Sequence, residues 1–273
     1  MTASLLVWVA AATVLQSDRL AVVNLRATFG ELGPARPDWK IPLGDALHIA
    51  FDVTGLTTDL AGRIRYRVRL EVENSRGERV FAPEPGEVEL LAVLGGNRAR
   101  ENLVMLTGLE QSPGNYRLKL TVTDLQARDS GRREVVAMQD FTLVPPDFNI
   151  LRVQVTSDQA GQKPVPPLGG AGQTLFVQGV VVGFQRDTQK RHGSVLVELF
   201  IQDETGKTVS ARPVPLQFPA IPPGLDYVPI RFDLPLTRPG SFRLVLKATD
   251  LLGKKTATVT LPLLVHDPLE RRP

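Results

Sequence analysis

Residues 113–125 read PGNYRLKLTVTDL, and residues 239–251 read PGSFRLVLKATDL. Eight of the thirteen aligned positions are identical, and in both stretches apolar residues largely alternate with polar ones after the Pro-Gly pair. Alternation with a period of two is typical of a β-strand that buries one face. The two stretches therefore predict one strand that occurs twice in the chain, 126 residues apart.

Two further pairs of stretches extend this duplication. Residues 44–56 (GDALHIAFDVTGL) match residues 172–184 (GQTLFVQGVVVGF), and residues 66–77 (YRVRLEVENSRG) match residues 195–206 (VLVELFIQDETG). The offsets are 128 and 129 residues, and such small changes between blocks are what loop insertions in a shared fold produce. The chain is thus predicted to contain two copies of one fold.

Each copy is predicted to be built from short strands joined by turns. The 22 prolines and 23 glycines are scattered, and no long helical period is present. Seven strands per copy follow from the alternation. They lie near 19–28, 45–53, 64–73, 78–91, 101–108, 115–124 and 133–144, and near 148–157, 173–182, 194–203, 207–217, 226–234, 240–249 and 255–265. We therefore predict an all-β chain of two tandem seven-stranded antiparallel sandwiches.

The boundary between the copies is predicted at residues 144–147, which read VPPD. Two prolines cannot continue a central strand because they donate no hydrogen bond to the sheet, and they stiffen a linker. The predicted domains are residues 18–146 and 147–267, followed by a C-terminal tail at 268–273.

The motif Pro-Gly-x-(Tyr/Phe)-x-Leu-x-Leu-x-x-Thr-Asp, which both copies contain, resembles bacterial immunoglobulin-like or fibronectin-type-III-like sandwich repeats. The resemblance implies an immunoglobulin-like topology and places Tyr116 where such folds have a corner tyrosine. Phe242 stands at the matching position and lacks the hydroxyl, so the second copy cannot make that hydrogen bond. Fold likeness of this kind implies no activity.

The first 17 residues carry no charged side chain and contain the apolar run 5–12 (LLVWVAAA). Ala10 and Ala12 are small residues that suit cleavage, so we predict a signal peptide over 1–17, although no Lys or Arg follows Met1. A buried first strand or a misassigned start codon is the alternative. No later segment reaches the ~20 apolar residues that span a bilayer. The expected location is therefore secreted, periplasmic or in the cell envelope.

Catalytic constellations are not found in the sequence. The absence of cysteine excludes disulfides, thiolate metal sites and a cysteine nucleophile. His192 and Ser194 lie close together, but we interpret them as a polar turn. A phosphate-binding loop at Gly206-Lys207-Thr208 would need a glycine where Ile201 stands. We expect no enzyme activity and no cofactor.

No spacing typical of a metal site is present either. The three histidines, His48, His192 and His266, are far apart in the sequence. Asp124 and Asp250 occupy matching positions at strand ends. They could bind calcium, but we favour the interpretation that each carboxylate hydrogen-bonds its own turn.

The stretch 63–73 (RIRYRVRLEVE) alternates strictly and predicts a row of outward-facing arginines. These are Arg63, Arg65, Arg67 and Arg69, spaced ~6.6 Å apart along the strand. The row is a candidate anion-binding site, because guanidinium groups bind phosphate and carboxylate oxygens in pairs. The alternative, which we favour, is a solvated face on which the arginines pair with Glu87 and Glu89 across the sheet. The matching stretch of the second copy is not basic.

These observations predict a non-enzymatic binding or structural protein that acts in adhesion, ligand binding or spacing within an envelope assembly. The expected partner is another envelope protein or an anionic polymer. Nucleic acid is not expected, since the net charge is only +3 and aromatic residues make up 6%. An aromatic platform for carbohydrate is not expected, because Trp39 is the one tryptophan outside the predicted leader. The alternative function is the accessory or substrate-binding subunit of an extracytoplasmic enzyme complex.

The duplication and the Pro-Pro break predict that fragments 18–146 and 147–273 each fold alone, because each is long enough to bury its own core. Each fragment should show a β-rich circular dichroism spectrum and a cooperative thermal transition. Two disordered fragments from a chain that folds when intact would disprove the division.

Overall fold

The structure is a computed structural model that describes residues 19–127, 133–210 and 212–267. The predicted signal peptide and C-terminal tail lie outside the described residues. Within the described part of the chain, the backbone forms seventeen β-strands and no helix. No described segment is therefore a helix able to cross a membrane.

The strands fall into two sets that share no sheet. The first set, which we call the N-terminal unit, contains β1 (Ala21–Thr28), β2 (Lys40–Pro42), β3 (Ala46–Thr54), β4 (Arg63–Asn74), β5 (Arg79–Phe81), β6 (Gly86–Leu91), β7 (Ala99–Leu106), β8 (Gly114–Asp124) and β9 (Glu134–Val144). The second set, the C-terminal unit, contains β10 (Asn149–Thr156), β11 (Leu168–Gly170), β12 (Thr174–Val182), β13 (Gly193–Asp203), β14 (Val214–Ile221), β15 (Tyr227–Pro235), β16 (Gly240–Asp250) and β17 (Thr256–His266).

Each unit consists of a small sheet and a large sheet. In the N-terminal unit the small sheet has the order β1-β3-β7, and the large sheet has the order β2-β9-β8-β4-β5 with β6 also paired to β4. The C-terminal unit repeats this pattern as β10-β12-β15 and β11-β17-β16-β13-β14. Neighbouring strands are antiparallel except for β2 with β9 and β11 with β17, which are parallel.

One hydrophobic cluster fills the space between the sheets of each unit. In the N-terminal unit, Phe51 from the small sheet and Tyr66 from the large sheet are both fully buried. The Tyr66 hydroxyl donates a hydrogen bond to Glu101, so the polar end of this large side chain is satisfied. Burial, together with that hydrogen bond, raises the pKa of Tyr66 well above its usual range.

The count of seven strands per copy differs from the nine and eight that the structure contains. The strand expected at 78–91 is divided into β5 and β6, because Pro83 and Pro85 lie between them and cannot donate to a sheet. The short strands β2 and β11 were not predicted. The strand expected at 207–217 lies later, at β14 (Val214–Ile221).

The tertiary structure repeats irregular features as well as strands. The pairing of β1 with β3 shifts register between Val23 and Arg26, and the pairing of β10 with β12 shifts between Leu151 and Gln154. The bulged residues Asn24 and Arg152 have left-handed φ angles of 55° and 51°. A bulge that recurs at the same place in both units supports the interpretation of the sequence as a duplication.

The corner tyrosine expected from the sequence makes its hydrogen bond. The Tyr116 hydroxyl donates to the carbonyl oxygen of Ser112, four residues upstream, at 2.6 Å. Its ring stacks on Phe141 with the ring centroids 5.6 Å apart. At the matching place in the C-terminal unit, the Arg238 guanidinium lies over the Phe242 ring, 5.3 Å from its centroid.

The two units meet at the buried carboxylate of Asp45, which is 1% exposed. It accepts hydrogen bonds from the Arg36 guanidinium at 2.7 Å, from its neighbour's amide Ala46 N–H at 2.8 Å, and from the Arg152 N–H of the C-terminal unit at 2.7 Å. The bulge residue of β10 thus donates its backbone N–H across the junction.

The loop that follows β1 also crosses this junction. Phe29 packs against the hydrophobic cluster of the C-terminal unit, and the Arg36 guanidinium lies 4.7 Å from the centroid of its ring. Gly30 has a φ of 75°, and a Cβ there would lie 2.8 Å from the Cβ of Gln154. Only glycine therefore allows the two backbones to approach this closely.

The Asp45 contact predicts that Asp45→Asn loosens the arrangement of the two units, because an amide cannot hold the Arg36 guanidinium as an ion pair. Since the chain contains no cysteine, spin labels attached after Arg76→Cys and Glu204→Cys report one distance across the junction. The wild-type distance distribution should be narrow, and Asp45→Asn should broaden it.

Asp158→Asn is the matched control, since the Asp158 carboxylate bonds only within its own loop, to Gln162 N–H and Lys163 N–H. A distribution that is equally broad in wild type and Asp45→Asn would show that this carboxylate does not orient the units.

A second buried carboxylate lies inside the N-terminal unit. Asp52 is 1% exposed and accepts hydrogen bonds from Asn24 Nδ2 at 2.7 Å, Arg98 Nη2 at 2.6 Å and Arg100 Nε at 3.0 Å. Burial alone would raise the pKa of Asp52, but the three hydrogen bonds outweigh it and hold this pKa well below its usual range.

This depressed pKa predicts a pH-dependent contribution of Asp52 to stability. The contribution is complete above the unfolded-state pKa of about 4 and is lost as the pH falls below that value toward the folded-state pKa. Asp52→Asn should lower the free energy of unfolding by about 2 kcal/mol at neutral pH. Urea unfolding should show this difference shrinking as the pH is lowered to about 3. Asp233→Asn, which removes a half-exposed carboxylate, should show little difference at either pH.

Candidate anion-binding site

The alternation predicted for β4 is confirmed by the burial of its side chains. Ile64, Tyr66, Val68, Leu70 and Val72 are each no more than 6% exposed and belong to the hydrophobic cluster. The four arginines between them lie on the outer face of the large sheet, where Arg63, Arg65 and Arg69 are exposed and Arg67 is half-buried.

Three of these arginines pair with the glutamates of β6. Arg65 lies opposite Glu89 and Arg67 lies opposite Glu87 in the register of β4 and β6. Arg63 and Arg65 approach the Glu89 carboxylate at 3.9 and 3.5 Å, and Arg67 forms a hydrogen-bonded ion pair with Glu87. The hydrogen bond from Arg67 holds the pKa of Glu87 below its usual value. The favoured alternative of cross-strand pairing is therefore confirmed for these three residues.

Arg69 differs from its neighbours because no glutamate of β6 lies opposite it. β6 begins at Gly86, which pairs with Val68, and β5 ends at Phe81, which pairs with Val72. The two prolines that separate β5 from β6 leave this part of β4 without a partner on that side. Within the described ranges, no carboxylate forms a salt bridge with Arg69.

Arg69 opens onto a groove of about 480 Å³ on the outer face of β4, β8 and β9. Thr121 lies opposite Arg69 in the register of β4 and β8, and Thr123 lies opposite Arg67. The other lining residues are Glu71, Lys119, Arg133, Glu134 and Val136. The lining thus contains four cationic side chains and two carboxylates, together with the Thr121 hydroxyl, which can donate to an anion, and the Thr123 hydroxyl, which donates to Glu134 at 3.2 Å.

Glu71 follows Arg69 on the same face of β4 but is largely shielded from solvent. It is 7% exposed and holds Arg79 at 3.1 Å and Lys119 at 3.6 Å. Its charge is therefore already shared between two cations. Arg69 and Arg133 are the lining cations for which the described residues provide no carboxylate partner.

The equivalent face of the C-terminal unit has a different composition. Glu198 stands at the position of Arg69, and it lies opposite Lys247 in the register of β13 and β16. Val245 stands at the position of Lys119. The cationic groove is thus a property of the N-terminal unit alone, as the sequence comparison of the two copies predicts.

The matching aspartates Asp124 and Asp250 are buried in their turns, as the favoured interpretation predicts. One Asp124 carboxylate oxygen accepts from Gln126 N–H at 2.9 Å, and the other accepts from Thr57 N–H at 2.8 Å. Asp250 repeats this arrangement with Leu252 N–H and Gln185 N–H. Both oxygens of each carboxylate are therefore engaged by backbone amides, which ties the β8–β9 and β16–β17 turns to the loops after β3 and β12.

The remaining sequence candidates are not brought together. Asp187 accepts the backbone N–H of His192, which accounts for the polar turn predicted there. His48 Nδ1 lies 3.2 Å from Asn102 Oδ1, far from the other histidines in the sequence. Over the described residues, no group of three or more potential metal ligands is close enough to hold an ion.

A second groove, of about 640 Å³, lies at the end of the same sheet. Trp39, Tyr116 and Phe141 contribute aromatic side chains to its lining, and Arg117 and Asp140 contribute an ion pair at 2.8 Å. This aromatic lining could not be predicted from the sequence, because the three residues are far apart in the chain.

Sequence reasoning also missed Lys119, Thr121, Thr123 and Arg133 as neighbours of Arg69. The first three alternate on the outer face of β8, so their shared orientation was readable from the repeated motif. Their position next to Arg69 depends on the register of β4 with β8, which no local pattern specifies.

Comparisons with known proteins place the chain in no family. No family model matches it, and no curated protein matches it. Similar solved structures include red sea bream transglutaminase, with a TM-score of 0.28 and 12% identity over 91% of this chain and 31% of that one. They also include dimeric latent PorU from Porphyromonas gingivalis, with a TM-score of 0.36 and 11% identity over 92% of this chain and 20% of that one. The chain spans less than a third of either protein, and at these TM-scores neither likeness bears on fold or activity.

Proposed function

We propose that this protein is a non-enzymatic binding protein of the cell envelope or extracellular space, built from two tandem immunoglobulin-like sandwiches. Its N-terminal unit binds an anionic polymer in the groove beside Arg69, and its C-terminal unit acts as a spacer. The proposal rests on the position of Arg69 and Arg133. Both side chains line the groove, and no carboxylate among the described residues forms a salt bridge with either of them.

The chemistry of the groove suits phosphate, sulfate or carboxylate groups carried along a chain. Guanidinium groups bind such anions with two parallel hydrogen bonds, and the Thr121 hydroxyl lies on the same face as an additional donor. The groove is open and lies on the outer face of a sheet, so it can accept an extended ligand. A strand face of this kind is rigid, which limits the entropy that the protein loses on binding.

Because the other arginines of the row form ion pairs, the proposal assigns anion binding mainly to Arg69. Arg65 and Arg67 are already neutralised by Glu89 and Glu87, so their exchange from carboxylate to ligand releases little free energy. Of the four arginines in the row, Arg69 is therefore expected to contribute most of the free energy of anion binding. Arg133 adds to it from across the groove.

The test is the salt concentration at which the full chain elutes from heparin. Arg69→Ser with Arg133→Ser should elute at clearly lower salt than wild type. The slope of log affinity against log salt should fall by about one for each phosphate-like or sulfate-like contact removed. The thermal stability should change little, because neither side chain forms an ion pair with any residue that the structure describes.

Two control variants separate a site from general charge. Arg117→Ser removes one exposed arginine that pairs with Asp140 on the same sheet, and Arg65→Ser with Arg67→Ser removes two paired members of the row. Both should shift elution less than the groove variant. Equal shifts for all variants, or a wild-type chain that does not bind heparin at low salt, would disprove the proposed site.

A further inference from the structure

Four large apolar side chains project into solvent at one end of the N-terminal unit. They belong to two segments that we call the tip. These are residues 55–62 between β3 and β4, and residues 91–97, which run from the last residue of β6 into the loop before β7. Leu60 and Leu94 are fully exposed, Val93 is 77% exposed and Leu91 is 55% exposed. Exposed apolar side chains that cluster on two neighbouring segments are a candidate interaction surface.

The two loops are held against each other by hydrogen bonds. Ala92 N–H donates to the Gly62 carbonyl oxygen at 2.8 Å, and Leu56 N–H donates to the Asn97 carbonyl oxygen at 3.1 Å. The Thr58 hydroxyl donates to the Gly96 carbonyl oxygen at 3.3 Å. These hydrogen bonds hold the backbone of the tip in place and pair several of its polar groups with one another. The apolar side chains therefore project from a fixed backbone.

The tip lies at the end of the N-terminal unit that faces away from the C-terminal unit. The junction at Asp45 lies where β3 begins, whereas the tip follows the end of β3 at Thr54. Arg19, the first described residue, lies at the tip end, since a Cβ on Gly55 would meet its carbonyl oxygen.

The C-terminal unit provides an internal comparison. Its equivalent loops lie between β12 and β13 and between β14 and β15, on the side of the junction. There Arg186 takes the place of Thr58 and ties the loops together by donating to the carbonyl oxygens of Pro222 and Leu225 at 3.0 and 2.7 Å. The tip sequence TDLAG (58–62) is replaced by RDTQK (186–190), so the fully exposed Leu60 has no apolar counterpart in that loop.

Arginines flank the tip on both sheets. Arg63 and Arg65 begin β4 with side chains 60% and 51% exposed, and Arg98 and Arg100 lie at the start of β7 with side chains 52% and 69% exposed. The carboxylates nearby are Asp59 and Glu89 together with Asp52 and Asp124, which are each 1% exposed, so the guanidinium groups are more exposed to solvent than the two buried carboxylates. Apolar side chains with a cationic border are the composition that enters a lipid interface, where guanidinium groups contact phosphates.

We propose that the tip inserts into the interface of an anionic lipid membrane, with Leu60, Val93 and Leu94 among the acyl chains and the flanking arginines at the phosphates. The protein would then stand on the membrane through its N-terminal unit, with the C-terminal unit directed away. Projecting side chains bordered by arginine on both sides fit a lipid surface better than a protein pocket, which needs a matching concave partner.

The absence of cysteine allows the tip to be probed inside the intact chain. A fluorophore that reports polarity is attached after Val93→Cys, and separately after Leu225→Cys in the equivalent loop of the C-terminal unit. Each labelled chain is mixed with vesicles of phosphatidylcholine alone or of phosphatidylcholine with phosphatidylglycerol. We expect a blue shift at position 93 that is larger with the anionic vesicles, and no shift at position 225.

A second measurement uses flotation of the unlabelled chain with anionic vesicles. Leu60→Ser, Val93→Ser and Leu94→Ser together should lower the partition coefficient at least about tenfold, since three exposed apolar side chains are lost. The fold should be retained because none of the three is buried. Arg69→Ser with Arg133→Ser should leave the blue shift at position 93 in place, so failure of the polymer site and failure of the tip are distinguishable.

The proposal is overturned if position 93 shows no blue shift, or if positions 93 and 225 shift equally. The first result would assign the tip to a protein partner, and the second would assign membrane binding to a part of the chain other than the tip. Because the fluorophore reports its own surroundings, attachment of the chain through residues 1–17 does not mask either result.

Discussion

A carboxylate shielded from water, that of Asp45, holds the two units of this protein together. A buried charge is unfavourable unless hydrogen bonds replace its hydration, and Asp45 obtains three: one guanidinium and two backbone N–H groups. One of those donors belongs to the other unit. The position of β10 is thereby coupled to the start of β3, and the opposite end of the N-terminal unit is left free in solvent.

The same bulge serves different purposes in the two units. Asn24 adopts the left-handed conformation that asparagine tolerates and gives its side chain to Asp52 within the N-terminal unit. Arg152 adopts the same conformation but gives its backbone N–H to Asp45 across the junction. Duplication has therefore preserved the backbone geometry while the bonds that it supports have diverged.

Divergence on a common scaffold also accounts for both proposed binding surfaces. Arg69 faces a cationic groove where the C-terminal unit has Glu198, and apolar loops occupy the free end where the C-terminal unit has the Arg186 loop. Each unit nevertheless keeps one apolar cluster between its two sheets. Function in a protein of this type is carried by side chains that the sandwich core does not constrain.

Local sequence patterns were enough to predict the all-β class, the duplication, the inward residues of β4 and the turn role of Asp124 and Asp250. These follow from strand periodicity and turn chemistry, which act over a few residues. The neighbours of Arg69, the three donors of Asp45 and the shared position of the two tip segments could be seen only in the folded chain. Each depends on strand register or on contact between distant loops, and register is set by how all the strands pack together rather than by any one of them.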